Sequence, residues 1–123
     1  MEANELRISN LVLHEGEILT IKSISKSVVS FDGRNYWTLL KDCKPIPLTE
    51  DWLTKFGFKH TEDYFQKKSI GKNITLEFAI LHKRTILFDN KKKLFVELKF
   101  CEYVHQAQNL YFALTGSELT LKN

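Results

Sequence analysis

Apolar and polar positions alternate in short runs through the first third of the chain and in longer runs between residues 63 and 101, before three- and four-residue spacing takes over near the end. A period of two predicts strands and a period near 3.6 predicts a helix. Residues 11–13, 18–24, 28–31 and 34–40 read as four short antiparallel strands, punctuated by the glycine turn near Gly16 and by the Asp32-Gly33 pair. Tight turns at such intervals suggest a curled sheet or a small SH3-like barrel over residues 1–44. Residues 63–68, 74–81, 84–88 and 94–101 repeat the style within a second β region, about 58–101. Leu94, Val96, Leu98 and Phe100 against Phe95, Glu97, Lys99 and Cys101 give clean alternation, as do Ile74, Leu76, Phe78 and Ile80. These two strands are expected at the sheet centre, one face buried, against the final helix.

Two helices complete an α+β reading of one 1–123 domain. The first, about 49–56, is specified locally: Thr49 as N-cap, Glu50 and Asp51 at the positive end of the dipole, Leu48 and Leu53 at hydrophobic-staple spacing. Gly57 can turn left-handed just past its end, which sets Phe58 against Leu53. This helix is a natural lid for the N-terminal sheet. The second, about 103–115, stops at Gly116 and presents Val104, Ala107, Leu110 or Tyr111, and Leu114 on one face, with Gln106, Gln108 and Asn109 pointing mostly elsewhere.

Composition narrows the setting. A chain of 123 residues with 43% hydrophobic content suits one compact fold. Two cysteines make no disulfide framework, no apolar run approaches the roughly 18 residues of a membrane span, and the N-terminus lacks a basic start and an apolar signal. A reduced, cytoplasmic setting without membrane contact is expected. The net charge of +3 is unevenly spread, with eleven Lys and Arg against five Asp and Glu between residues 55 and 99. Lysines in turns and on edge strands commonly serve solubility; gathered on one rim, they would attract anions.

Chemistry is sparse. The sequence has no phosphate loop, dinucleotide fingerprint, HExxH or paired CxxC, so no catalytic residue, metal site or cofactor is assigned. Cys101 and His105 are four apart and would share one side of a helix that began early enough, but need a further ligand or orienting acid such as His14, His60, His82 or Glu77. Cys43, just before Pro45, is either an exposed thiol or a small filler. Aromatic neighbours offer more: in strands one ring of each pair should face outward, and Tyr36, Tyr64 and Tyr111 are expected at the surface. With Lys67, Lys68, Lys83 and Arg84 they form the candidate partner-binding set, a possible stacking platform.

The segments NELRISNLV, PIPLTEDWLTKFGF and VHQAQNLYFALTGSELTL, in that order, resemble a family of small uncharacterised proteins carried by phages, prophages and mobile elements of gut bacteria. The family forms are close to ELRIGNLV, PLTEEWLLKFGF and VHQLQNLYFALTGEEL. This chain differs mainly at Ser9, where glycine is usual and a left-handed turn is thereby in question, and at Ala107, where leucine is usual. The resemblance implies a cytoplasmic accessory factor that binds something. The reading is therefore a non-catalytic binding protein whose partner is a protein or a nucleic acid. The alternative is a sponge or hydrolase for small nucleotides made by host defence.

Overall fold

The computed structural model describes residues 1–122. The fold is α+β, with two antiparallel sheets and two α-helices. The chain divides into two compact units, Met1–Pro47 with Tyr103–Leu110, and Leu48–Glu102 with the residues from Tyr111 on.

In the first unit, β1 (Leu11–His14), β2 (Glu17–Ser25), β3 (Val28–Phe31) and β4 (Trp37–Leu39) form an open sheet in sequence order rather than a closed barrel. Glu15 and Gly16 both take positive φ, 49° and 80°, which suits the two-residue β1–β2 hairpin. A register shift between Ile21 and Ser23 bends β2. The inner face packs Val12, Leu19, Ile21, Val29 and Phe31 with Leu6, Leu40 and Cys43, so Cys43 is a core filler and not an exposed thiol. The last strand is shorter than the 34–40 expectation, because Arg34 still belongs to the turn: its amide returns to the Phe31 carbonyl at 3.2 Å and its guanidinium meets Glu17 at 2.7 Å. Ser9 takes φ 81°, so the left-handed turn persists without glycine. Two backbone bonds, Ser9 N–H to the Ile21 carbonyl and Ile21 N–H to the Asn10 carbonyl, both 2.9 Å, hold it there.

Helix α2 (Val104–Thr115) departs from its expected facing. The buried positions are Val104, His105, Ala107 and Gln108, while Leu114 is exposed. Gln108 and Asn109 bond to Ser9, Asn10, Leu11, Glu5 and Arg7 within the first unit, so the amides taken as outward-facing anchor this end of the helix. Periodicity scored only apolar side chains and had no way to register a buried amide with partners far back in the sequence.

The second unit opens with α1 (Glu50–Lys55), whose ends are sealed as expected. The Thr49 hydroxyl accepts from the Trp52 amide at 3.3 Å, and Gly57 turns at φ 91°. Phe58 N–H then reaches the Leu53 carbonyl and Gly57 N–H the Thr54 carbonyl, both at 3.0 Å, the paired bonds of a Schellman end. This helix belongs to the unit of the second sheet, where Gln66 donates its side-chain amide to the Glu50 carbonyl at 3.1 Å and to the Thr54 hydroxyl at 3.2 Å.

That sheet has the order β5 (Lys59–His60), β6 (Gln66–Gly71), β7 (Ile74–Ala79), β8 (Arg84–Asp89) and β9 (Leu94–Leu98). β7 is central, with Leu76 and Phe78 buried and Phe58 edge-on to Phe78 at 5.4 Å. β9 is not central. It is the outer edge, and neither of its faces is covered along Leu94–Glu97. The alternation in β9 is genuine, but alternation alone does not show whether anything packs against the apolar side.

Candidate functional site

Successive residues of the five-stranded sheet point to opposite faces, so its register assigns every side chain. Lys67, Glu77 and Ile86 share one face with Arg84, Phe95 and Glu97. Lys68, Leu76, Leu87 and Val96 share the other. Each face carries a groove running out toward β9.

The first groove, about 260 Å³, sets Asp63, Lys67, Glu77 and Arg84 among the apolar Phe65, Ile86, Phe88 and Phe95, and its charges are already paired. The Lys67 ammonium lies 2.9 Å from Asp63 and 3.8 Å from the buried Glu77 carboxylate, which also accepts from the Thr75 hydroxyl at 2.8 Å. The Thr61 hydroxyl, then Lys67 and the Phe65 amide, hold the Asp63 carboxyl down at about 2. Arg84 bonds Glu97 and sits 5.5 Å from the Phe65 ring and 5.7 Å from the Phe95 ring. The cations here already have carboxylates, and the rings beside Arg84 already have a cation.

The second groove is larger, about 470 Å³; Ile74, Leu87, Leu94 and Val96 line it from this face, Phe88 and Phe95 also contribute, and Asp89 and Lys92 border it. It meets the unpaired edge of β9, where Leu94, Phe95 and Val96 are 63%, 54% and 60% exposed. Three consecutive large apolar residues on an open edge are what folded proteins ordinarily avoid, since the unpaired amides and carbonyls of such an edge template further pairing.

The seven candidate partner-binding residues do not form one platform. Lys67 and Arg84 border the same groove. Lys68, one residue on, points to the opposite face, where its ammonium meets the Phe56 carbonyl at 3.3 Å and lies 6.0 Å from the Tyr111 ring. Burial, and then the Lys122 charge, lowers the basicity of Lys68. Tyr64 is exposed at φ 71° with its ring edge-on to His82 at 5.7 Å, and Lys83 is exposed in the left-handed turn before β8. Tyr36 belongs to the first unit, where its ring lies 6.1 Å from His14 and 6.2 Å from Phe31. The residues not singled out from sequence are Leu94, Phe95, Val96 and Glu97. Their available signal was an apolar run bracketed by lysines, which marks a guarded edge as readily as a central strand.

The Cys101–His105 pairing finds no support in local geometry. Helix α2 begins at Val104, so Cys101 lies outside it, and burial pushes the Cys101 thiol up to about 11, away from nucleophilic use. His105 belongs to the first unit, 1% exposed, its ring stacked on Tyr103 at 5.9 Å. Neither ring nitrogen has a hydrogen-bond partner, and Glu5 stands 3.8 Å from Nε2. Among the described residues no cluster of three or more His, Cys, Asp and Glu side chains is placed to hold a metal ion. No helix among them is long and apolar enough to cross a membrane.

Burial lowers the His105 basicity more than Glu5 restores it. The unfolded chain therefore takes up a proton near pH 6.5 that the folded chain still refuses, so stability is full above that pH and declines below it. Urea midpoints measured from pH 7.5 down to pH 5 should fall, and His105→Gln should flatten that slope. An unchanged slope in the variant would remove His105 as the cause.

Comparisons with protein-family models, with curated proteins and with solved structures each found no match to this chain.

Proposed function

We propose that this chain is a non-catalytic binding module, a cytoplasmic accessory protein of the phage- and mobile-element-borne kind that its three signature segments resemble. Its partner is another protein, which adds an extended segment to the outer edge of the five-stranded sheet. The observation that carries this is β9, an edge strand paired only with β8, whose Leu94, Phe95 and Val96 lie exposed beside an apolar groove. Strand addition draws affinity from the free backbone groups and specificity from alternate side chains.

The nucleic-acid branch is weaker. Within the candidate set, Lys67 and Arg84 are committed to Asp63, Glu77 and Glu97 and Lys68 faces away from them, so the set offers a phosphate backbone no continuous row of free cations. Lysines that no ion pair engages among the described residues lie instead at the two ends of the apolar β9 edge. A nucleotide sponge or hydrolase needs free rings for stacking, and the rings flanking Arg84 are in contact with its guanidinium.

Amide exchange at Leu94–Leu98, followed with and without a synthetic peptide of alternating valine and threonine, tests the reading. The peptide should slow exchange in β9, and Val96→Lys should abolish that slowing while leaving the melting curve in place. Salt-sensitive binding of single- or double-stranded nucleic acid, with β9 exchange unaltered by any peptide, would replace strand addition with phosphate recognition.

A further inference from the structure

We infer that the strand received by β9 is flanked by acidic residues: an extended segment of another protein with alternating apolar side chains and Asp or Glu at both ends. This rests on the strand-addition reading above and adds the chemistry of the partner. The groove opens on the Leu94 and Val96 side, so every second side chain of the incoming strand lies beside Leu94 or Val96 at the outer margin of that groove. Phe95 and Glu97 occupy the other side, where Glu97 is already held by Arg84.

Charge selects between occupants. Lys91, Lys92 and Lys93 precede β9 and Lys99 follows it. Among the described residues no ion pair engages any of these four lysines. The nearby Asp89 carboxylate is turned back onto the Lys91 and Lys92 backbone amides, at 2.9 and 3.1 Å, where it shapes the turn. The edge thus presents an apolar centre between two basic ends.

A second copy of the chain fits that pattern poorly. Antiparallel self-pairing over the whole of β9 sets Leu94 opposite Leu98 and Val96 opposite itself, but the same register brings Lys93 against Lys99 at both ends. Like charges directly opposite each other in a sheet oppose pairing. The lysines therefore deter self-association of an exposed apolar edge while favouring a strand with carboxylates at its ends.

Three synthetic decapeptides sharing a valine-threonine centre, flanked by glutamates, by serines or by lysines, separate the possibilities when titrated against the full chain at low and moderate salt. The glutamate-flanked peptide should bind about tenfold tighter than the serine-flanked one, with the difference shrinking as salt rises. Lys92→Glu combined with Lys99→Glu, checked by melting to be folded, leaves two lysines against two glutamates at the flanks and should erase the preference for the glutamate-flanked peptide. Equal affinity for all three flanks overturns the acidic partner and leaves strand addition standing. Failure of all three to bind overturns both, and a concentration-dependent dimer in sedimentation that Val96→Lys dissociates assigns the edge to a second copy.

Discussion

Replacing Gln108 with leucine is expected to lower stability by about 2–4 kcal/mol, although leucine is close to glutamine in volume and far better suited to burial by its polarity. The side chain is 3% exposed. Its carbonyl oxygen accepts the Leu11 amide at 2.8 Å and its own amide donates to the Ser9 carbonyl at 3.2 Å. Leucine removes both partners at once and leaves a backbone donor and a backbone acceptor beside the strained Ser9 turn with nothing to bond. Asn10 is part of the same set, its Oδ1 accepting the Arg7 amide at 2.7 Å and its Nδ2 donating to Asn109 at 2.8 Å and to Gln108 at 3.5 Å. Asn10→Ala and Gln108→Leu should therefore combine non-additively. Urea unfolding with an unchanged slope and a lowered midpoint reads the effect, and a loss below about 0.5 kcal/mol would show that water replaces the lost partners without penalty.

What the amino-acid order disclosed, and what it withheld, divides along the range of the interactions. Thr49, Gly57 and Phe58 were legible because a capped helix is specified within a dozen consecutive residues, and each of the expected end bonds is present. The strands were legible as strands for the same reason. Their order was not, since Ile74–Ala79 and Leu94–Leu98 carry the same alternation although the first has a neighbouring strand on both sides and the second on one. The candidate surface failed in an instructive way. Lys67 and Lys68 read as one basic patch, yet adjacent strand residues point apart, and Lys67 is paired by Glu77 from the neighbouring strand. Arg84 is likewise paired by Glu97, thirteen residues away in sequence. The carboxylates of Glu77 and Glu97 reach these two cations only because the sheet brings neighbouring strands together.

Phe78→Ala should cost about 3–5 kcal/mol, the most damaging single truncation expected in the second unit. Phe78 is wholly buried on the central strand and meets Phe58, the residue that follows the α1 glycine, edge-on at 5.4 Å. Across the ladder it sits opposite Gln66 on β6 and Thr85 on β8, both buried, so the vacated volume would be bordered by polar side chains. Gln66 is tied to α1 through Glu50 and Thr54, and the Thr85 hydroxyl accepts the Cys101 amide at 3.4 Å, so neither can move in to fill the gap without releasing a bond of its own. A loss of this size is about a fifth or more of the stability of a typical domain. Because β9 is held only through β8, and β8 through β7, the substitution should also abolish peptide binding at the edge. Val96→Lys makes the contrast: it removes binding from a surface position while the unfolding midpoint stays, whereas Phe78→Ala removes both together. If Phe78→Ala unfolds within about 1 kcal/mol of the parent and still protects β9 amides on peptide addition, the ring does not hold the sheet together and the edge does not depend on it.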